Sequence, residues 1–382
     1  MKTAIAAAMS GEELSAPVLR SAFETIFRGQ ATPAQLGALL TALRMKGESA
    51  EELATAAAVM REHCVPVKLS AKPVVLDTCG TGGDGSNTFN ISTAAAIVIA
   101  ACDVPVAKHG NRAASSKVGS ADVLEALGVR IDLDAEQVAR CIEELGIGFM
   151  FARTHHPAMK HVAQVRAELG VRTIFNFLGP LSNPAQASHQ VIGVPSPKLL
   201  GLFAQALSLL GARRVWVVHG HPGIDELSLA GPTQVVELDA GELREFTMQP
   251  EDFGLRTAQA DLTVSGVEES AAMIRNVLRG ERGAARDVVV LNAAAGLVVS
   301  GRAVSFQQAA QLAAEAIDGG SAFGKLANWF RRLAQWRKQG LLKRALQARR
   351  RPSARLETLE PRLLLSADIS YGTSISDLAL DL

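Results

Sequence analysis

Aromatic residues make up only 4% of this 382-residue chain: three Trp, one Tyr and thirteen Phe. So few rings argue against a protein that reads nucleic acid by stacking bases on its surface. Cysteine is scarce too. Cys64, Cys79, Cys102 and Cys141 form no Cys-x-x-Cys pair and no zinc spacing, which excludes a disulfide scaffold and fits reduced thiols. His155, His156 and His161 do not combine with an acid at zinc-binding spacing, so a zinc site is not expected. The longest apolar stretch, Ile91 to Cys102, is far too short to span a bilayer. The opening Met1 to Met9 resembles a secretory leader only in its small apolar residues, and Glu12 and Glu13 follow at once. Together these absences point to a cytoplasmic protein with no membrane and no nucleic-acid partner.

What is present begins with enough chain for two domains and a sizeable core, at 48% hydrophobic residues. The formal charge of +1 conceals an asymmetry. From Arg331 onward there are eleven Lys and Arg against five acids, a surplus of six, which leaves −5 on the preceding body. A body bound to a phosphate backbone should be basic. This one is mildly acidic.

The chain is organised around Val74 to Ser120, which reads as strand, glycine loop, helix, strand, polar loop, helix. The first loop, Thr78-Cys79-Gly80-Thr81-Gly82-Gly83-Asp84-Gly85, has four glycines in six positions. They let the backbone turn tightly and bring N–H groups close to an anion. A helix opens near Asn90-Ile91-Ser92-Thr93, its positive end facing back toward the loop. The second loop, Lys108-His109-Gly110-Asn111-Arg112-Ala113-Ala114-Ser115-Ser116, adds cations and hydroxyls. The Lys-Ser/Thr of a Walker loop is missing, so this is a phosphate cradle of another kind. Cys79 lies in it, but the chemistry described below needs no thiol.

Ahead of this stretch, residues 15–63 read as three short amphipathic helices. Thr32-Pro33 marks one start, and Ser49 with Glu52 forms a capping box at another. Beyond it, strands alternate with helices, which argues for a parallel α/β sheet. Strands are expected at 147–152, 190–194 and 215–218, with a hairpin over 234–238 and 243–248. Helices are expected at 120–127, 134–145, 157–169, 198–210, 268–279, 287–299 and 305–317. The expected domains are 1–70, helical, with part of 157–190 packing on it, then 71–328, α/β, and then 329–382. That last stretch reads as a solvated basic helix running to Arg351, followed by a disordered extension.

Gly80-Thr81-Gly82-Gly83-Asp84, Asn90-Ile91-Ser92-Thr93 and Lys108-His109-Gly110-Asn111-Arg112 resemble the signature motifs of the anthranilate phosphoribosyltransferases. The likeness continues through Val171-Arg172-Thr173-Ile174-Phe175-Asn176 and Asp225-Glu226, and covers roughly residues 10 to 328. It implies a small helical domain and a larger α/β domain of the nucleoside phosphorylase/phosphoribosyltransferase kind, paired in a homodimer. It also implies a reaction: anthranilate displaces diphosphate from phosphoribosyl diphosphate in the second step of tryptophan biosynthesis.

On that resemblance, Gly80, Gly83, Asp84, Thr88, Asn90, Ile91, Ser92 and Thr93 hold diphosphate and ribose. Lys108, His109, Gly110, Asn111, Arg112, Ala113, Ala114, Ser115, Ser116 and Ser120 close over the phosphates. Asn111 and Arg166 meet anthranilate, and Ser92, Asp225 and Glu226 hold two Mg²⁺ ions. Lys108, Asp225 and Glu226 act electrostatically, with no covalent residue and no assigned base. Gln164 and Pro222 depart from the family pattern.

Pyrimidine nucleoside phosphorylases share the fold but lack the Asp-Glu pair, so Asp225-Glu226, Asn111 and Arg166 favour the transferase. A third class, transferase-like nucleic-acid binders, should have a basic body. Near the C-terminus, Leu359-Glu360-Pro361-Arg362-Leu363-Leu364 resembles the Leu-Glu-Pro-Arg, Leu-Leu segment of bacterial surface proteins.

Overall fold

The computed structural model describes residues 1–70, 74–113 and 117–349. The expected domain boundary at 70/71, the loop residues Ala114, Ser115 and Ser116, and the Leu-Glu-Pro-Arg tail lie outside the described residues.

Four helices open the chain: α1 Lys2–Met9, α2 Ala16–Phe27, α3 Pro33–Lys46 and α4 Ala50–Glu62. The anticipated caps are formed. Thr32 Oγ1 accepts from Gln35 N at 3.2 Å while Gln35 Oε1 accepts from Thr32 N at 3.1 Å, and Ser49 and Glu52 repeat the exchange. α1 was not expected from sequence. Its Ala4 and Ala8, one turn apart, are buried, a helical period hidden in a run of small residues.

The α/β part alternates as expected. β1 Leu76–Gly80, α5 Ile91–Ala101, β2 Val106–Gly110, α6 Ser120–Ala126, α7 Ala135–Leu145 and β3 Ile147–Phe151 come first. The excursion α8 Ala152–His155, α9 Lys160–Leu169 and α10 Phe175–Leu181 follows. The chain then returns through β4 His189–Gly193, α11 Leu200–Leu209, β5 Arg214–Gly220, β6 Thr233–Asp239 and β7 Glu242–Met248. It closes with α12 Val267–Leu278, α13 Ala284–Val299, α14 Phe306–Asp318 and α15 Ser321–Arg349. α10 was not anticipated, since Gly179 and Pro180 near its end disguise it.

The seven strands order as β3-β2-β1-β4-β5-β6-β7. Pairing is parallel from β3 to β5 and antiparallel from β5 to β7. Strand order reverses between β1 and β4, and a crevice opens beyond the carboxyl ends of strands at such a switch point. Both β1 and β4 end there in glycine, with Gly80 opposite Gly193.

The sheet separates two cores by the period-2 alternation of its strands. On β5, Trp216 and Val218 face a core with α5, α12, α13 and α14. Val215 and Val217 face a second core, shared with α2, α3, α4, α9, α10 and α11. The N-terminal helices therefore rest on the sheet through α9, α10 and α11. Phe175 stands 5.7 Å from Phe23 and 6.1 Å from Phe27.

The C-terminal end differs from expectation. Residue 328 falls inside α15, which runs unbroken from Ser321. Trp329 is 1% exposed and Leu333 is 4% exposed, both within the first core. Arg140 lies 4.0 Å over the Trp336 ring. The segment just past 328 is thus packed on the body rather than solvated, because Trp329, Leu333 and Trp336 recur at helical spacing on one face.

Candidate active site

The glycine loop leaves β1 at the switch point. Its Gly80, Gly82 and Gly85 fall at the Gly-x-Gly-x-x-Gly spacing of dinucleotide turns, yet α5 starts only at Ile91. The intervening residues widen the loop beyond a Rossmann turn. The N–H groups of Gly83, Asp84 and Gly85 have no partner among the described residues. Gly82, Gly83 and Gly85 adopt φ of +65°, +82° and +74°, a conformation that gathers successive N–H groups into a concavity for an anion.

Asp225, from the loop after β5, closes one side of this cradle. Its Oδ2 accepts from Gly82 N at 2.9 Å, and its own N–H reaches Asp84 Oδ2 at 3.4 Å. A Cβ on Gly80 would meet the Asp225 carboxylate, and a Cβ on Gly193 would meet its carbonyl. Bare Cα positions at the switch point are what let the acid reach the loop. Asp225 makes these contacts with Pro222 three residues ahead of it.

Glu226 points the other way, its Oε1 accepting from Ser92 N at 3.1 Å in the first turn of α5. Lys108, at 3% exposure on β2, donates to Ser92 Oγ at 3.5 Å and to Thr78 O. Gly82, Asp225, Glu226, Ser92 and Lys108 thus form one connected group.

Two buried residues hold this group in place that sequence reasoning missed. Asp77 accepts from His109 N at 3.2 Å and from Asn183 Nδ2 at 2.8 Å. Asn292, on α13, accepts from Leu227 N and donates to Leu227 O, each at 2.9 Å, clamping the chain just after the acid pair. Only the contact across 65 residues reveals Asn292, since its own sequence surroundings read as plain apolar helix. Asp77 stood next to the loop, and an acid inside an apolar strand was a usable signal.

The remaining expected residues take varied positions. Asn90 caps no N–H through its side chain; its Oδ1 accepts from Ser270 Oγ at 2.9 Å. Thr88 Oγ1 lies 3.4 Å from Ser86 Oγ, Ile91 is core, and Thr93 Oγ1 is buried with no partner among the described residues. Gly110 ends β2. Asn111 O accepts from Ala121 N at 3.2 Å and from Ser120 Oγ at 3.4 Å. Arg112 pairs with Asp122 at 2.7 Å and Glu125 at 2.6 Å, while Ala113 N donates to Asp122 at 3.1 Å. The Arg112 charge therefore braces the second loop. Arg166, on α9, lies 5.6 Å over Phe175, has no acid partner among the described residues, and is pushed below its ordinary pKa by burial. Gln164, on the exposed side of α9, binds Glu168 at 2.9 Å and leaves the helix unbroken.

The electrostatics favour one more cation. Burial, then the neighbouring acids, pushes Asp225 up to about 7 and Glu226 up to about 8. Burial likewise lowers Lys108, against the pull of Asp77, Cys79 and Glu226. Among the described residues no three His, Cys, Asp or Glu side chains converge on a metal by themselves. Asp225 on the glycine loop, with Glu226 and Ser92 beside it at the first turn of α5, nevertheless offers oxygens that fit Mg²⁺, which is commonly bound by one or two carboxylates together with substrate phosphates. His109 Nδ1 lies 3.1 Å from Gly179 O and so carries the proton, while Nε2 has no partner among the described residues. Burial pushes His109 down to about 4 and His156, whose ring centroid is 5.0 Å away, down to about 2. Both are neutral in any ordinary buffer.

Residues 72–323 match the glycosyl transferase family a/b domain, and residues 2–64 match the family's helical bundle domain. The chain is 53% identical over 327 residues to the anthranilate phosphoribosyltransferase of Parvibaculum lavamentivorans, spanning 85% of this chain and 95% of that one. The crystal structure of the Thermus thermophilus enzyme superposes with a TM-score of 0.81 at 47% identity, covering 86% of this chain and 98% of that one. The Saccharomyces cerevisiae enzyme in complex with PRPP and Mg gives 0.77 at 30% identity, covering 84% and 94%. Half-identical sequence over nearly the full length of such relatives, on the same two-part fold, means that this chain belongs to the anthranilate phosphoribosyltransferase family.

Proposed function

We infer that this chain transfers the phosphoribosyl group of phosphoribosyl diphosphate to anthranilate by stabilising the departing diphosphate. The amine lone pair attacks C1 of the ribose, the C1–O bond breaks, and its electron pair leaves with diphosphate. The ring passes through an oxocarbenium-like state, so fixed positive potential at the leaving group lowers the barrier. The open N–H groups of Gly83, Asp84 and Gly85 donate to the diphosphate, with the N-terminus of α5 behind them. Lys108 adds a buried cation. Ser92, Asp225 and Glu226 hold Mg²⁺, two ions in this reading, which when bound neutralises phosphate oxygens. Arg166 takes the anthranilate carboxylate, its flat guanidinium suited to a bidentate pair. The aryl-ammonium proton is lost after attack, with no residue assigned as base.

The observation that carries this reading is the connected path from the glycine loop through Asp225-Glu226 and Ser92 to Lys108. It gives one anion site, lined by acids that call for a divalent cation. Homodimerisation and residence in the cytoplasm complete the reading.

The test is loss of anthranilate fluorescence on mixing with phosphoribosyl diphosphate and Mg²⁺, abolished by EDTA. Metal-independent phosphorolysis of thymidine, with no anthranilate consumed, would overturn the assignment in favour of a nucleoside phosphorylase.

A further inference from the structure

Arg172 touches the glycine loop and has been given no role. It lies between α9 and α10, in the excursion that shares a core with the N-terminal helices. From there it crosses the crevice: Nη1 donates to Gly82 O at 2.7 Å, and the guanidinium sits 5.8 Å over Phe177. It presses so close to Gly83 that a Cβ there would run into Nη1 and lie 2.8 Å from Cζ. Nη2 is buried without a partner among the described residues. A buried donor left unpaired is costly unless a ligand or water takes it. Asp225 and Asp84 both pull on its charge, Arg44 opposes, and burial lowers its pKa overall.

The bond to Gly82 O fixes more than a carbonyl. A trans peptide is planar, with its C=O and N–H pointing in opposite directions. Holding the Gly82 carbonyl against Arg172 therefore turns the Gly83 N–H to the far side, where it meets no partner among the described residues. On the other flank, Asp225 holds the Gly82 N–H. We propose that Arg172 is a positioning residue of the transfer reaction, a clamp from the helical side of the crevice that aims the Gly83 N–H at the diphosphate. Gly83 is then glycine for two reasons: its φ of +82°, and the guanidinium lying on its Cα. The proposal rests on the transferase reading above.

The test compares Arg172→Lys, Arg172→Gln, Gly83→Ala and the Gly83→Ala/Arg172→Ala pair with Arg172→Ala in the full chain. Arg172→Gln is expected to raise KM for phosphoribosyl diphosphate about tenfold or more, with KM for anthranilate within about twofold. Arg172→Lys, which keeps a donor for Gly82 O, should recover part of that loss. Thermal unfolding without substrate should show Gly83→Ala costing less in the Arg172→Ala background than in the wild type, because the clash is gone. Additive melting changes, or equal rises in both KM values, would overturn the clamp. If the wild type itself fails to consume anthranilate, the functional reading fails. The substrate-free coupling between Gly83 and Arg172 is still measured, and it judges the contact by itself.

Discussion

At the scale of single residues, the site concentrates charge that burial makes expensive. Lys108 is buried and the Asp225-Glu226 pair half-buried, so each acts through a local dielectric below that of bulk solvent. Lys108→Ala and Asp225→Ala are each expected to lower kcat by about 10²–10³, as removal of one preorganised electrostatic contact does elsewhere. Circular dichroism should show both variants folded.

The acid pair also sets a pH dependence. Their folded pKa values are raised from 3.8 and 4.5 to about 7 and about 8, so the metal-free fold binds more protons than the unfolded chain between those limits. Its contribution to stability is therefore present at low pH and lost as pH rises through about 7 to 8. Mg²⁺ needs the deprotonated carboxylates, so the trend reverses when it binds. The melting temperature in EDTA should fall from pH 6 to pH 8.5, while the increment from Mg²⁺ should grow over the same range. An increment independent of pH would show that the pair does not hold the ion.

At the scale of elements, the end of the chain carries the clearest expectation. α15 begins within the stretch common to the relatives and runs to Arg349 without a break. Its buried Trp329 and Leu333 belong to the main core. Trp329→Ala should destabilise by about 3–5 kcal/mol, the usual cost of deleting a buried aromatic. A chain ended at Leu326 should melt well below one ended at Gln339, which keeps Trp329, Leu333 and Trp336. The N-terminal helices rest on smaller, additive devices. Thr32→Ala and Ser49→Ala should each cost about 1 kcal/mol in urea unfolding. Ser49→Ala tests more than a cap, because its partner Glu52 also accepts from Lys46 Nζ at 2.8 Å and Leu14 N at 2.9 Å.

At the scale of the molecule, the two matched family segments are not two independent folding bodies. α4 packs on α10 and α11, Arg61 Nε donates to Leu181 O at 2.8 Å across the division, and the second core runs through both. Calorimetry should therefore record a single main transition rather than separate melting of residues 2–64. The clamp proposed for Arg172 belongs to this scale, since it carries the placement of the helical side directly to the glycine loop. No helix among the described residues is long and apolar enough to cross a membrane.

Much of this was written locally. The capping pairs at Thr32 and Ser49, the alternation of strands and helices, the hairpin of β6 and β7, and the glycine and lysine loops each depend on neighbours in the chain, so the sequence determined them alone. The same holds for the family, because its motifs are contiguous. What only the tertiary structure decided are relations between distant residues: Asp225 resting on Gly80 and Gly193, Asn292 clamping Leu227, Arg172 reaching Gly82 O, and Trp329 entering the core. Local periodicity reports which face of an element is apolar. Which partner meets that face, and how far burial shifts a charge, depends on packing across the sheet, and no window of sequence contains it.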